Sequence, residues 1–169
     1  RQVDRMIGAG IHGIFCLGTN GEAFALSDEE KRQVIRTTVE QAAGRVPVYA
    51  GTGCVTTRDT LELSLYAQEV GADALSIITP YFAASSQEQL YRHYETIANA
   101  VRIPIIVYNI PARTGASVSP KLWKKMTKLE RIAGIKDSSG NFDNMLQYLR
   151  NSQGTECAVL SGNDSLILW

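Results

Sequence analysis

Neither sign of charge is in excess, since 17 lysines and arginines stand against 17 aspartates and glutamates. Without a basic field or stripe, the chain lacks what would draw nucleic acid or an anionic membrane surface. No apolar run approaches the ~20 residues of a membrane helix, so no segment reads as a span. Histidine is scarce: His12 and His93 lie far apart. That argues against a His-rich catalytic zinc site and leaves open one histidine with carboxylates; the reading is no metal. Cys16, Cys54 and Cys157 are odd in number, widely spaced and without a CxxC pair. A disulfide framework is set aside, and the thiols suit the reduced core of a cytoplasmic protein. No GxGxxG turn is present, which weakens dinucleotide binding. No linker or low-complexity segment marks a second domain. The chain starts on Arg1 without an initiator Met, and Leu166-Ile167-Leu168-Trp169 ends it without a cap or polar tail. It reads as one domain, residues 1–169, cut at both ends from a longer protein.

What is present is a repeated unit. Val3 to Gly10 reads as the last turns of a helix. Gly13-Ile14-Phe15-Cys16-Leu17-Gly18 is an apolar run ending in Thr19-Asn20-Gly21-Glu22. Ser27 with Glu30 forms a capping box for a helix to about Ala43. Val46 to Ala50 is a strand, Thr57 opens a helix, and Gly71 stops it. Ala74 to Ile78 is a strand ending in Thr79-Pro80-Tyr81-Phe82, and Ser86 caps the next helix. Ile103 to Val107 is a strand ending in Tyr108-Asn109. Ser119-Pro120 starts a helix with proline at its favoured first position. Ile132 to Ile135 is a strand ending in Lys136, Asn141 opens a helix, and Cys157 to Leu160 is a last strand.

These are six strand-then-helix units, the last incomplete, at intervals of roughly 25–33 residues. Continuous apolar strands between amphipathic helices mean parallel strands covered by helices. An open doubly wound sheet and a (β/α)8 TIM barrel both fit, and the near-uniform period favours the barrel. A barrel needs eight strands, so the chain carries about six of them.

In a barrel the C-terminal ends of the strands share one mouth, where active sites sit. Here those ends supply Thr19, Asn20, Thr52, Tyr81, Phe82, Tyr108, Asn109, Lys136 and Ser161. A lysine closing an apolar strand is most often a packed stem with a solvated head. Its functional reading is an amine that desolvation keeps neutral and nucleophilic toward a carbonyl. Tyr108 alone is ordinarily a packed aromatic. Thr19-Asn20-Gly21 alone is a plain turn, or else a nest for a carboxylate. Arg113, in a loop beyond the Tyr108 strand, is usually solvated, but at a barrel mouth it can pair bidentately with a carboxylate. Together, lysine, tyrosine and threonine make a set that can form a Schiff base with a ketone and carry its protons.

Three motifs carry a resemblance: Gly18-Thr19-Asn20-Gly21-Glu22, Tyr108-Asn109-Ile110-Pro111-Ala112-Arg113-Thr114-Gly115, and Gly134-Ile135-Lys136-Asp137-Ser138-Ser139-Gly140. With Thr79-Pro80-Tyr81-Phe82 before Ser86-Gln87-Glu88, they resemble the dihydrodipicolinate synthase / N-acetylneuraminate lyase family over essentially the whole chain. The resemblance implies a TIM barrel that binds pyruvate as a Schiff base, needs no cofactor, and is commonly a homotetramer. It implies Lys136 as the Schiff-base lysine, Tyr108 as the proton-transferring phenol and Thr19 as the hydroxyl linked to it. Thr19 and Asn20 would bind the pyruvate carboxylate. Arg113 matches the arginine that, in the synthase branch, binds aspartate semialdehyde on the route to lysine. Tyr81 and Phe82 become candidates for the oligomer interface. Two positions depart from the pattern: Asn20 is often threonine, and Phe82 is commonly a tyrosine that reaches a neighbouring subunit's site. The rival readings are a pyruvate aldolase acting on a sialic acid or 2-keto-3-deoxy sugar acid, and a non-catalytic barrel that binds an oxo acid.

Overall fold

The structure, a computed structural model, describes residues 1–167; Leu168 and Trp169 of the apolar end lie outside the described residues. Six strands form one sheet: β1 (Ile14–Cys16), β2 (Val48–Gly51), β3 (Ala74–Ile78), β4 (Ile105–Asn109), β5 (Ile132–Asp137) and β6 (Ala158–Ser161). Every neighbouring pair is parallel and spatial order equals chain order. A doubly wound sheet reverses its order at a switch point. This sheet does not reverse, so it is a barrel wall, and among the described residues β1 and β6 are its two edges.

Helices α1 (Gln2–Gly8), α2 (Asp28–Ala42), α3 (Thr57–Glu69), α4 (Gln87–Ala100), α5 (Pro111–Thr114), α6 (Pro120–Met126) and α7 (Phe142–Ser152) accompany the strands. Their starts follow local chemistry. The Ser27 amide donates to Glu30 at 2.8 Å while the Glu30 amide donates to the Ser27 hydroxyl at 3.3 Å. Ser86 and Gln89 repeat this box on α4. Ser119 caps α6 ahead of Pro120, and Asn141 caps α7.

Some boundaries differ from the sequence reading: β2 starts at Val48 rather than Val46, and β6 at Ala158 rather than Cys157. Thr57 opens α3 as read, with Thr56 as its cap, and the Thr57 hydroxyl hydrogen-bonds His93 Nδ1 at 2.9 Å. β4 starts at Ile105, since Pro104 has no N–H to give the ladder. The stretch Pro111–Thr114 is a helical turn rather than a loop. Proline presets its first φ, and Gly115 closes it at φ 69.

Alternate residues divide the sheet's two faces. Leu75, Ile77, Ile105, Val107 and Ile135 are fully buried and belong to one cluster with Leu90, Tyr94, Trp123 and Tyr148 from the helices. Burying side chains of this size contributes about 1.5–3 kcal/mol each. Ser76, Ile78, Tyr108 and Lys136 line the opposite face, with Phe15 from the edge strand β1. The other edge is thinly covered: Ala158 of β6 is exposed and Val159 to Ser161 are half-buried.

Candidate active site

The site begins with the pairing of β4 and β5. Tyr108 stands opposite Lys136, and Asn109 opposite Asp137. Side chains alternate along a strand, so the first pair shares the inner face and the second faces the helices. The Lys136 ammonium lies 4.1 Å from the centroid of the Tyr108 ring and 5.7 Å from that of Phe15. Both distances are within reach of a cation–π attraction, which steadies a half-buried lysine head. Phe15 is itself held by stacking on Tyr49, ring centroids 4.6 Å apart.

From the first unit, Thr19 places its hydroxyl 3.3 Å from the Tyr108 phenol oxygen, and either oxygen can donate. Thr19 opens a short helical turn, Thr19–Gly21, directly after β1. The chain reaches that turn through Leu17 at φ 57, a left-handed conformation that costs a residue with a Cβ about 1–2 kcal/mol. Gly51 makes room for it: a Cβ there would run into the Leu17 carbonyl. The sharp bend that aims Thr19 at Tyr108 therefore depends on a glycine in the next strand.

Around this trio opens a mouth of about 600 Å³, lined among others by Asn20, Arg113, Ser138 and Asn163. Arg113 stands exposed on α5. That turn is pinned by Thr114, whose buried hydroxyl accepts from Thr79 at 3.0 Å and from the Ala116 amide at 3.2 Å, and donates to the Ala116 carbonyl at 3.0 Å. Ser138 packs on Gly162, where a Cβ would collide with its hydroxyl, so a larger residue there would push Ser138 aside. A neighbouring cavity of about 550 Å³ joins Thr19, Asn20 and Arg113 to Tyr81. Burial pushes the Tyr81 phenol up from its ordinary range.

The structure thus brings together Lys136, Tyr108, Thr19, Asn20 and Arg113, with Tyr81 beside them. Several strand-end residues do not join them. Thr52 turns under α3, 2.8 Å from the Ser64 hydroxyl. Asn109 points to the helix layer, and Ser161 donates to the Asn163 carbonyl at 2.8 Å. Phe82 is 97% exposed at φ 77 and lines none of these cavities. Sequence reasoning misses Phe15, Ser138 and Asn163. Phe15 alternates with buried Ile14 and Cys16, and that period-two signal places it on the inner face. Among the described residues, no group of three or more His, Cys, Asp or Glu side chains is placed to hold a metal ion.

A sequence model of the Dihydrodipicolinate synthetase family matches residues 1–169. The chain belongs to the dihydrodipicolinate synthetase family. It is 42% identical over 98% of its length to a 4-hydroxy-tetrahydrodipicolinate synthase of Phenylobacterium zucineum, and 42% identical over 99% to one of Methanopyrus kandleri. It covers 56% of each of those proteins, so the chain spans little more than half the length of the curated relatives it matches. Among solved structures, it is similar to the chloride-inhibited dihydrodipicolinate synthase from Acinetobacter baumannii complexed with pyruvate. That likeness has a TM-score of 0.92 and 41% identity, covering 96% of this chain and 55% of that one. The six-stranded wall is therefore a fragment of the family's TIM barrel.

Proposed function

We propose that the intact protein is a pyruvate-dependent lyase working through a lysine Schiff base. The reaction is that of a 4-hydroxy-tetrahydrodipicolinate synthase, joining pyruvate to aspartate semialdehyde in lysine biosynthesis. The observation that carries this reading is the contact chain from Lys136 across the Tyr108 ring to the Thr19 hydroxyl. Family membership and the pyruvate complex of the Acinetobacter baumannii relative support it.

In this mechanism the neutral amine of Lys136 adds to C2 of pyruvate, and the C2 oxygen leaves as water as the imine forms. Tyr108 gives and takes back the protons, with Thr19 as its hydroxyl partner. Loss of a proton from C3 makes the enamine, whose C3 bonds to the aldehyde carbon while the aldehyde oxygen is protonated. The amine of the new product then adds to C2 and expels Lys136, closing a ring. The first amides of a helical turn have no partner inside it, so the Thr19–Asn20 turn suits the pyruvate carboxylate, aided by the Asn20 side-chain amide. Arg113 suits the second carboxylate as a bidentate partner. No cofactor enters these steps.

A second reading, a pyruvate aldolase of a sialic acid or 2-keto-3-deoxy sugar acid, is favoured by Phe82, which has no hydroxyl to lend a proton relay. The exposed Phe82 ring, with Tyr81, is the proposed contact between subunits of a homotetramer; light scattering on wild type and Phe82→Ala checks it. The three free thiols fit a cytoplasmic setting, and among the described residues no helix is long and apolar enough to cross a membrane. Borohydride reduction with pyruvate, read by intact mass, tests the main proposal. One reduced pyruvate on wild type and none on Lys136→Ala is expected. No adduct on wild type overturns it in favour of a non-catalytic oxo-acid-binding barrel.

A further inference from the structure

The pairing of β4 with β5 starts in one register and finishes in another. Ile105 is opposite Ile132, but Ala133 is passed over and Ile106 is opposite Gly134. From there Tyr108 meets Lys136 and Asn109 meets Asp137. Had the first register continued, Tyr108 would meet Ile135 and Asn109 would meet Lys136. A one-residue slip turns every later side chain to the other face. Isoleucine would then stand in the mouth and the lysine would be driven into the apolar layer under the helices. The bulge at Ala133 alone puts Lys136 beside Tyr108, and bulges are a known means of re-aiming a side chain.

A bulge displaces a strand but does not by itself hold the new register. One residue beyond Tyr108 and Lys136, the Asn109 amide Nδ2 donates to Asp137 Oδ1 at 2.7 Å, and both residues are fully buried. The rest of each side chain is also engaged. The Ser139 hydroxyl donates to Asp137 Oδ2 at 2.7 Å, and the Val118 amide donates to Asn109 Oδ1 at 3.0 Å. Slipping by one residue would break this bond, turn Asp137 out of the layer and leave the Lys136 ammonium there without a partner, and an unpaired buried charge is costly.

From this we propose that Asn109 and Asp137 are positioning residues: their mutual bond locks the bulged register and so sets Lys136 against Tyr108. This rests on the Schiff-base reading of Lys136. The polar set is symmetric enough to be exchanged. With Asn109→Asp and Asp137→Asn together, the amide moves to β5 and the carboxylate to β4, and the one still donates to the other. Ser139 and the Val118 amide still find acceptors.

The experiment compares N109D, D137N and the double exchange in the intact protein. It reads thermal midpoint and the rate of pyruvate trapping by borohydride, measured well below each midpoint. Each single variant is expected to trap about 10²-fold more slowly, the cost of displacing a reacting group by about 1 Å. The double exchange is expected to recover the wild-type rate. Singles that melt earlier yet trap at the wild-type rate would show a purely structural pair and overturn the proposal. So would a double exchange that folds but traps slowly, or does not fold. If wild type itself forms no adduct, the Schiff-base reading falls, and the clamp is decided by crystal structures of the variants. Lys136 Nζ moved off the Tyr108 ring in D137N and returned in the double exchange supports it; an unmoved lysine overturns it.

Discussion

Tyr108 and Lys136 occupy the same two strands as Asn109 and Asp137, one residue earlier, yet the two pairs live in different surroundings. The outer pair is wholly buried, and each of its polar ends is hydrogen-bonded. Around it, Tyr148 donates to the Val118 carbonyl, and burial followed by the Asp137 charge pushes its phenol up. The inner pair faces an open mouth. Lys136 is half-buried against two aromatic faces, and Tyr108 shares one 3.3 Å contact with Thr19. A saturated network holds geometry, while a sparsely bonded one keeps donors and acceptors available for a substrate. The period of two in a strand lets one pair of strands do both.

The sharpest way to break this comparison is to delete one member from each pair. Lys136→Ala should lose the pyruvate adduct completely and leave the thermal midpoint near wild type. Asp137→Ala should cost about 1–3 kcal/mol in denaturant unfolding, because it leaves the buried Asn109 amide without its acceptor. If the lysine variant unfolds as readily as the aspartate variant, the division of labour is wrong.

Tyr108→Phe keeps the ring under the ammonium and removes only the hydroxyl. It should slow turnover by ~10²–10⁴-fold while pyruvate KM changes little. A mutant turning over near the wild-type rate would place Tyr108 with the packing residues of the outer layer.

His93 extends the comparison to a buried polar group far from the mouth. Its Nδ1 faces the Thr57 hydroxyl, while Nε2 has no partner among the described residues. Burial lowers its pKa to about 4. The unfolded chain, with a histidine near 6.5, binds more protons between those values, so stability rises with pH across that window and is lost as pH falls from about 6.5 to about 4. The loss should approach about 3 kcal/mol, because each pH unit between the two values is worth about 1.36 kcal/mol. Urea midpoints of wild type and His93→Phe across that range check it; the variant's profile should be flatter.

Much of this is legible in the chain. Ser27 with Glu30, Ser86 as a cap and Ser119 with Pro120 mark helix starts because caps are local chemistry. Lys136, Tyr108 and Thr19 fall at one rim because each closes an apolar run. What a series of strand ends does not carry is the face. Thr52 and Asn109 group with the mouth by position yet belong to the helix layer, since facing depends on a register set by the partner strand. The skipped Ala133 that sets it has no local signature. The α5 turn is also hidden, because four residues ahead of a glycine read equally well as a loop.

Arg113 gives the smallest of these effects and the finest division within the mouth. It lies on α5, outside the lysine–tyrosine–threonine trio, and it is exposed, so its loss should not disturb the imine. On the proposed mechanism its partner is the carboxylate of the aldehyde, taken up after pyruvate. Removing a charged hydrogen-bond partner costs ~1.5–3 kcal/mol, or roughly 10–150-fold. Arg113→Ala should therefore lower kcat/KM for aspartate semialdehyde by that factor while borohydride trapping of pyruvate proceeds at the wild-type rate. Arg113→Lys should recover only part of the loss, since an ammonium keeps the charge without the bidentate fork. If trapping falls in step with condensation, Arg113 acts on pyruvate itself, and the mouth holds one carboxylate site instead of two.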